Sequence, residues 1–188
     1  MHDPRPAQQP IRLRFGHLDG VDLNRGNEQV RNDFAERKKI KLFISYSHKD
    51  DRLRAELETH LTLLQRQGII DVWTDRRIMA GDCWKSERYL SIEAADIVLL
   101  LVSPDFIASD YCYDVEMARA IERHLLNEVR VIPIIVREVS WTHAPFSNLQ
   151  ALPTDGVALA RRTKGSRDPA WRGVEEKIRE SILQLKSI

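Results

Sequence analysis

Apolar positions along the chain keep two rhythms that alternate. "IKLFISY" is a short apolar run of strand length, and the stretch after it changes period. In "DDRLRAELETHLTLLQRQG", Leu53, Leu57, Leu61 and Leu64 fall on one helical stripe, and Gly68 supplies the stop. "IIDVW" is a second short strand. "TDRRIMAGDCW" has neither rhythm and reads as a loop, and "KSERYLSIEAA" as a short helix. "DIVLLLVS" is a third strand, followed by a helix predicted from Ser109 to about Asn127. "VRVIPIIV" is the fourth. After a long irregular connection, "VALA" reads as a short edge strand. A last helix is predicted with Asp168 as its cap and Pro169 at its first position; Trp171, Val174, Ile178, Ile182 and Leu185 form its apolar face.

Strands that alternate with helices imply a parallel sheet covered on both faces. "IVLLLV" and "VIPIIV" are apolar without a break, as doubly buried strands should be. The expected architecture is therefore α/β and flavodoxin-like: a five-stranded parallel sheet, order 2-1-3-4-5, with helices on both faces. Residues 1–39 do not share this pattern. They are polar and proline-bearing, with one short helix predicted in "NEQVRNDFAERKK", and form an N-terminal appendage to a domain at 40–188.

Composition narrows the function. The 188 residues carry 29 Lys and Arg against 28 Asp and Glu, a net charge of +1 that gives no reason to expect nucleic acid. No apolar run is long enough to span a bilayer, and the opening residues lack a signal-peptide core, so no membrane partner is expected. Cys83 and Cys112 lie far apart, with no histidine or cysteine at ligand spacing, so no metal and no disulfide are expected and a reducing cytoplasm is the expected compartment.

In such sheets a ligand sits beyond the carboxyl ends of the strands, where strand order reverses. Here "SYSHKDD" and "SPDFIASDYCYDVE" meet at that point, with "DRRIMAGDCW" alongside. The helix start "SDYCYDVEMARA" carries more than a cap requires. If Ser109 caps it, Cys112 and Glu116 share a face, while Asp114 lies about 200° around the helix from Glu116. For acids near a helix start, the bland explanation is a favourable helix dipole, with Glu116 paired to Arg119 or Arg123 in solvent. Location at the switch point favours Glu116 as a site residue instead.

"KLFISYSHKDD", "DVWTDRRIMAGDCW", "ADIVLLLVSPDFIASDYCYDVEMARAIER", "VIPIIV" and "LQALPTDG" resemble, in order, the boxes of bacterial Toll/interleukin-1 receptor (TIR) domains, over roughly residues 40 to 187. The resemblance implies a flavodoxin-like fold, homotypic TIR–TIR association, and in many bacterial and plant members cleavage of NAD at its nicotinamide–ribose bond. Other members are scaffolds without catalysis. It places the catalytic glutamate at Glu116, behind Tyr111 and Cys112. Many members have the glutamate three residues after the cysteine, whereas this chain has it four after, which leaves Asp114 as a rival. The same comparison suggests NAD contacts from Phe43, Ser45, Tyr46 and Asp50 in the first loop region. It suggests Asp75, Arg76, Gly81 and Trp84 in the second, and Ser103, Tyr111 and Cys112 around the third strand and its helix.

The chemistry suits a site with one acid. Nicotinamide leaves NAD as a neutral molecule, so no general acid is needed, and a single carboxylate can stabilise the oxocarbenium-like sugar. Tyr111 or Trp84 would stack on a ring of the substrate. NAD is then a substrate, and no cofactor is expected. Each residue also has a plainer role. Phe43 fits a core strand, Trp84 a helix anchor, Cys112 a small packed residue, and Ser45 and Ser103 strand ends. His48 is most simply a loop histidine. The expected function is an NAD glycohydrolase in bacterial immune defence or signalling, giving linear or cyclised ADP-ribose. The alternative is a non-catalytic TIR scaffold. A phosphoacceptor receiver domain is disfavoured, since Ser103 stands where it would need an aspartate. A nucleoside deoxyribosyltransferase is a further enzymatic alternative.

Overall fold

The computed structural model describes residues 39–73 and 84–186. The predicted appendage, apart from Lys39, lies outside the described residues. Among the described residues four parallel strands form the sheet: β1 (Ile40–Ser45), β2 (Ile70–Trp73), β3 (Ile97–Val102) and β4 (Arg130–Ile135), in the order β2-β1-β3-β4. The registers place Phe43 beside Trp73 and Val98, and Ser45 beside Leu100. All six side chains of β3 are buried, as a central parallel strand requires.

The predicted fifth strand is a correction. "VALA" forms no strand, and Leu159–Arg161 is a 3-10 turn. Among the described residues Leu152 alone extends the sheet past β4, accepting from the Ile135 N–H at 2.7 Å and donating to the Pro133 carbonyl at 2.8 Å. Pro153 comes next and has no N–H to continue the ladder, so pairing stops after one bridge.

Helix α1 (Asp51–Arg66) follows a 3-10 turn at His48–Asp50 and buries Leu53, Leu57, Leu61 and Leu64 as the stripe predicts. It ends where Gly68 takes φ +67°, a left-handed stop that costs glycine nothing, and the Ile69 N–H reaches back to the Leu64 carbonyl at 3.0 Å. Helix α2 (Trp84–Ala94) leads into β3. A short helix not predicted from the sequence, α3 (Pro104–Ile107), follows β3, and the single helix predicted from Ser109 is two pieces: a π-helical turn at Tyr111–Met117 and α4 (Ala118–Leu125). The final helix, α5 (Lys164–Lys186), begins earlier than predicted and holds Pro169 inside it. Thr163 supplies the first turn, its carbonyl accepting from the Ser166 and Arg167 N–H groups, so Asp168 is not the cap.

Alternation along β1 divides the core in two. Leu42, Ile44 and Tyr46 face α1 and α5, where Leu57, Leu61, Trp171, Ile178 and Ile182 are fully or almost fully buried. Phe43 faces the other side, against Ile92 of α2, Phe106 of α3, Cys112 and Met117. Each such buried side chain contributes about 1.5–3 kcal/mol, so these two layers set the fold. Ser45 shares the side of Phe43, and this second layer holds the site.

Candidate active site

Glu116 is fully buried where β1 ends, and it has specific partners there. The Ser45 hydroxyl, at the last position of β1, donates to Glu116 Oε2 at 2.6 Å. Arg88, from α2, brings both Nε and Nη2 to Glu116 Oε1, each at 2.5 Å. The guanidinium carbon lies 5.1 Å from the centroid of the Tyr111 ring. A strand end and two separate crossovers thus meet on one carboxylate. Burial, and next the Glu116 carboxylate, push the Tyr111 phenol above its ordinary value, while Arg88 opposes them.

Glu116 lies within the π turn. A ladder closing i to i+5 takes more residues per turn than an α-helix, so one extra residue fits without rotating the downstream helix. Glu116 comes four positions after Cys112, and both lie in the π-helical segment Tyr111–Met117. Cys112 and Glu116 are both buried, whereas Asp114 between them is exposed. Asp114 is therefore not placed as a rival. Ser109 acts as the helix start requires, its Oγ accepting from the Cys112 N–H at 3.3 Å. Nor does Glu116 pair with the arginines downstream. Arg119 binds Glu93 and Glu122, and Arg123 binds the Ile92 and Ala95 carbonyls and Glu128.

The other sequence-predicted residues separate into groups. Phe43 is core, stacked on Trp73 with ring centroids 5.1 Å apart. Tyr46 points to the opposite side of the sheet, its hydroxyl 3.4 Å from Asp51 and its ring under Arg54, while its carbonyl accepts from the Cys112 thiol at 3.3 Å. Cys112 is thus held as a packed, hydrogen-bonded thiol. Asp50 and Ser103 make a second buried cluster. Ser103 Oγ donates to Asp50 Oδ2 at 2.5 Å and caps α3 by accepting from the Phe106 N–H at 3.0 Å. Arg137, just past β4, donates to Asp50 Oδ1 at 2.7 Å and also binds Asp105, which Lys49 holds from the other side at 2.6 Å. These hydrogen bonds, from Lys49 first and then Arg137, keep the Asp105 carboxyl below its ordinary 3.8. Asp75, Arg76 and Gly81 lie outside the described residues, as does the side chain of Trp84. His48 is exposed, 6.0 Å from the Tyr46 ring centroid.

Two arginines were not among the predicted residues. Arg137 carries no motif that marks it. Arg88 does leave a trace: it lies four residues before Ile92 on the inward face of α2, where packing calls for an apolar side chain. Among the described residues, no group of three histidine, cysteine or acidic side chains could hold a metal. No described helix is long and apolar enough to cross a membrane.

A family model for the TIR domain matches residues 42–163. The chain belongs to the TIR domain family. It is 50% identical over 140 residues to the uncharacterized protein y4lF of Sinorhizobium fredii, a match covering 74% of this TIR chain and 43% of that protein. The chain therefore spans less than half the length of this relative. The TIR domain of the Toll-related receptor TRR-2 from Hydra magnipapillata superposes with a TM-score of 0.50 at 22% identity, covering 73% of this chain and 97% of that one. At that identity the likeness bears on the fold alone, and it agrees with the α/β parallel sheet seen here.

Proposed function

We propose that this TIR domain is an NAD glycohydrolase in which Glu116 is the catalytic carboxylate. One observation carries the reading: a fully buried glutamate at the β1–β3 switch point, fixed by a strand-end serine and bordered by an aromatic ring. In the reaction, the bond between ribose C1′ and the pyridinium nitrogen breaks and its electron pair stays on nitrogen, so nicotinamide leaves neutral. The positive charge passes to the sugar, where the Glu116 carboxylate stabilises it. Water adds at C1′ and gives its proton to solvent, yielding ADP-ribose; a nitrogen of the adenine ring in place of water yields the cyclic product. Ser45 is the positioning residue that holds Oε2.

The test is purified protein incubated with NAD, with free nicotinamide measured for wild type and Glu116→Gln. Wild type should release nicotinamide, and the variant should lose at least about a hundredfold in rate. Equal release by both ends the assignment. Deoxynucleosides in the same assay separate a deoxyribosyltransferase.

A second reading, a homotypic scaffold, is favoured by one feature: in this arrangement the Glu116 carboxylate is already bound by Arg88 and Ser45. TIR domains associate homotypically, and self-association is proposed here under either reading. Concentration-dependent sedimentation with no nicotinamide release at any concentration would support the scaffold.

A further inference from the structure

The Arg88–Glu116 pair is costly by the usual rules. Both ions are out of water, with Arg88 4% exposed and Glu116 fully buried. Desolvation of such a pair commonly cancels its attraction, and an apolar residue would serve the core as well. Arg88 also works against the proposed reaction. A guanidinium 2.5 Å from the carboxylate cancels the negative potential that a sugar cation would need, and repels that cation as it forms.

The geometry has a closer meaning. The Arg88 guanidinium is planar and cationic, it lies over the Tyr111 ring at 5.1 Å, and it touches Glu116. A nicotinamide ring is also planar and, in NAD, cationic. Bound for cleavage, it needs an aromatic face to stack on and a carboxylate near its ribose. We infer that Arg88 is an internal competitor of NAD: its guanidinium occupies the place of the nicotinamidium ring between Tyr111 and Glu116 and is exchanged for it when substrate binds. The inference rests on the NAD reading above. Such an exchange is electrically economical, because the buried carboxylate keeps a cationic partner throughout. It also makes the domain latent, since only the fraction of molecules with Arg88 displaced can bind, and apparent affinity falls by that fraction.

The experiment uses Arg88→Ala and Arg88→Met, with NAD turnover read as KM and kcat separately. Each variant should show a KM lower than wild type by about tenfold or more. Methylguanidine added to Arg88→Ala should refill the hole, raise the melting temperature, and restore the higher KM by competing with NAD. A residue that only supports the fold predicts the reverse, with methylguanidine improving turnover. The competitor is overturned if turnover still depends on Glu116 but KM is unchanged or higher in both variants, or if methylguanidine activates. Absence of nicotinamide release from wild type and every variant overturns the NAD reading and the competitor with it. Should neither variant fold, wild type decides. The Arg88 Nε–H resonance should shift and exchange faster when a non-cleavable carba analogue of NAD saturates the protein. An unchanged resonance with bound analogue rejects the competitor.

Discussion

At the scale of single residues, burial separates acids that the sequence leaves side by side. Glu116 is enclosed and Asp114 is in solvent, although two positions separate them. Asp114→Asn should therefore leave nicotinamide release unchanged. Ser45→Ala removes the donor to Oε2 in a site without solvent access, and a buried acceptor that loses its partner costs about 1–3 kcal/mol. Chemical denaturation should show that loss, and turnover should fall by about tenfold as the carboxylate loses its fixed orientation. Full activity in Ser45→Ala would remove its positioning role. Glu116 was legible because the switch-point rule picks out the segment that carries it. Arg88 was not, since a charge on a short amphipathic helix is ordinarily read as a solvated face, and only the burial of Ile92 one turn on exposes the conflict.

At the scale of elements, strands were easier to read than helix starts. β3 is an unbroken apolar run and β4 is one after Arg130, as doubly covered parallel strands should be. "VALA" imitates a strand in composition, but the proline after Leu152 ends the ladder before that segment is reached. The π turn was illegible for a different reason: spacing templates assume about 3.6 residues per turn, and an inserted residue shifts the phase without changing composition. Deleting Asp114 tests what the turn does. The segment Tyr111–Met117 should close as α-helix, with helix content and melting temperature retained and nicotinamide release within about tenfold of wild type. Loss of release with the fold intact would mean that the wide turn itself shapes the site.

Over the whole molecule, acid should destabilise the fold in a defined window. Asp105 is held below its ordinary 3.8 by hydrogen bonds from Lys49 and Arg137. Glu93 is held below 4.5 by Arg119, and Asp155 below 3.8 by Arg162. A carboxyl whose pKa is lowered in the folded state stabilises fully above its ordinary value and loses that contribution as pH falls through the lowered one. The urea midpoint should therefore be level above about pH 5 and drop below about pH 4, by a modest amount because these groups are solvent-screened. Arg137→Met should flatten part of that drop. A midpoint independent of pH in this range would show that the pairs contribute nothing. Two-sided helical cover could be read from the chain, but which arginine ties which crossover could not, because those pairings link residues far apart in sequence.

The side-chain pairings also bear on the order in which the molecule is built. Ser45 and Glu116 are 71 residues apart, Asp50 and Ser103 are 53, and Asp50 and Arg137 are 87. The first two wait on the pairing of β1 with β3, and the third on β4 as well, because each spans ends that only the sheet brings into reach. Maturation of the crevice around Glu116 is consequently a late folding event. Heat or denaturant should dissolve it before the strands part, so that mild stress silences the protein while its circular dichroism still reads native.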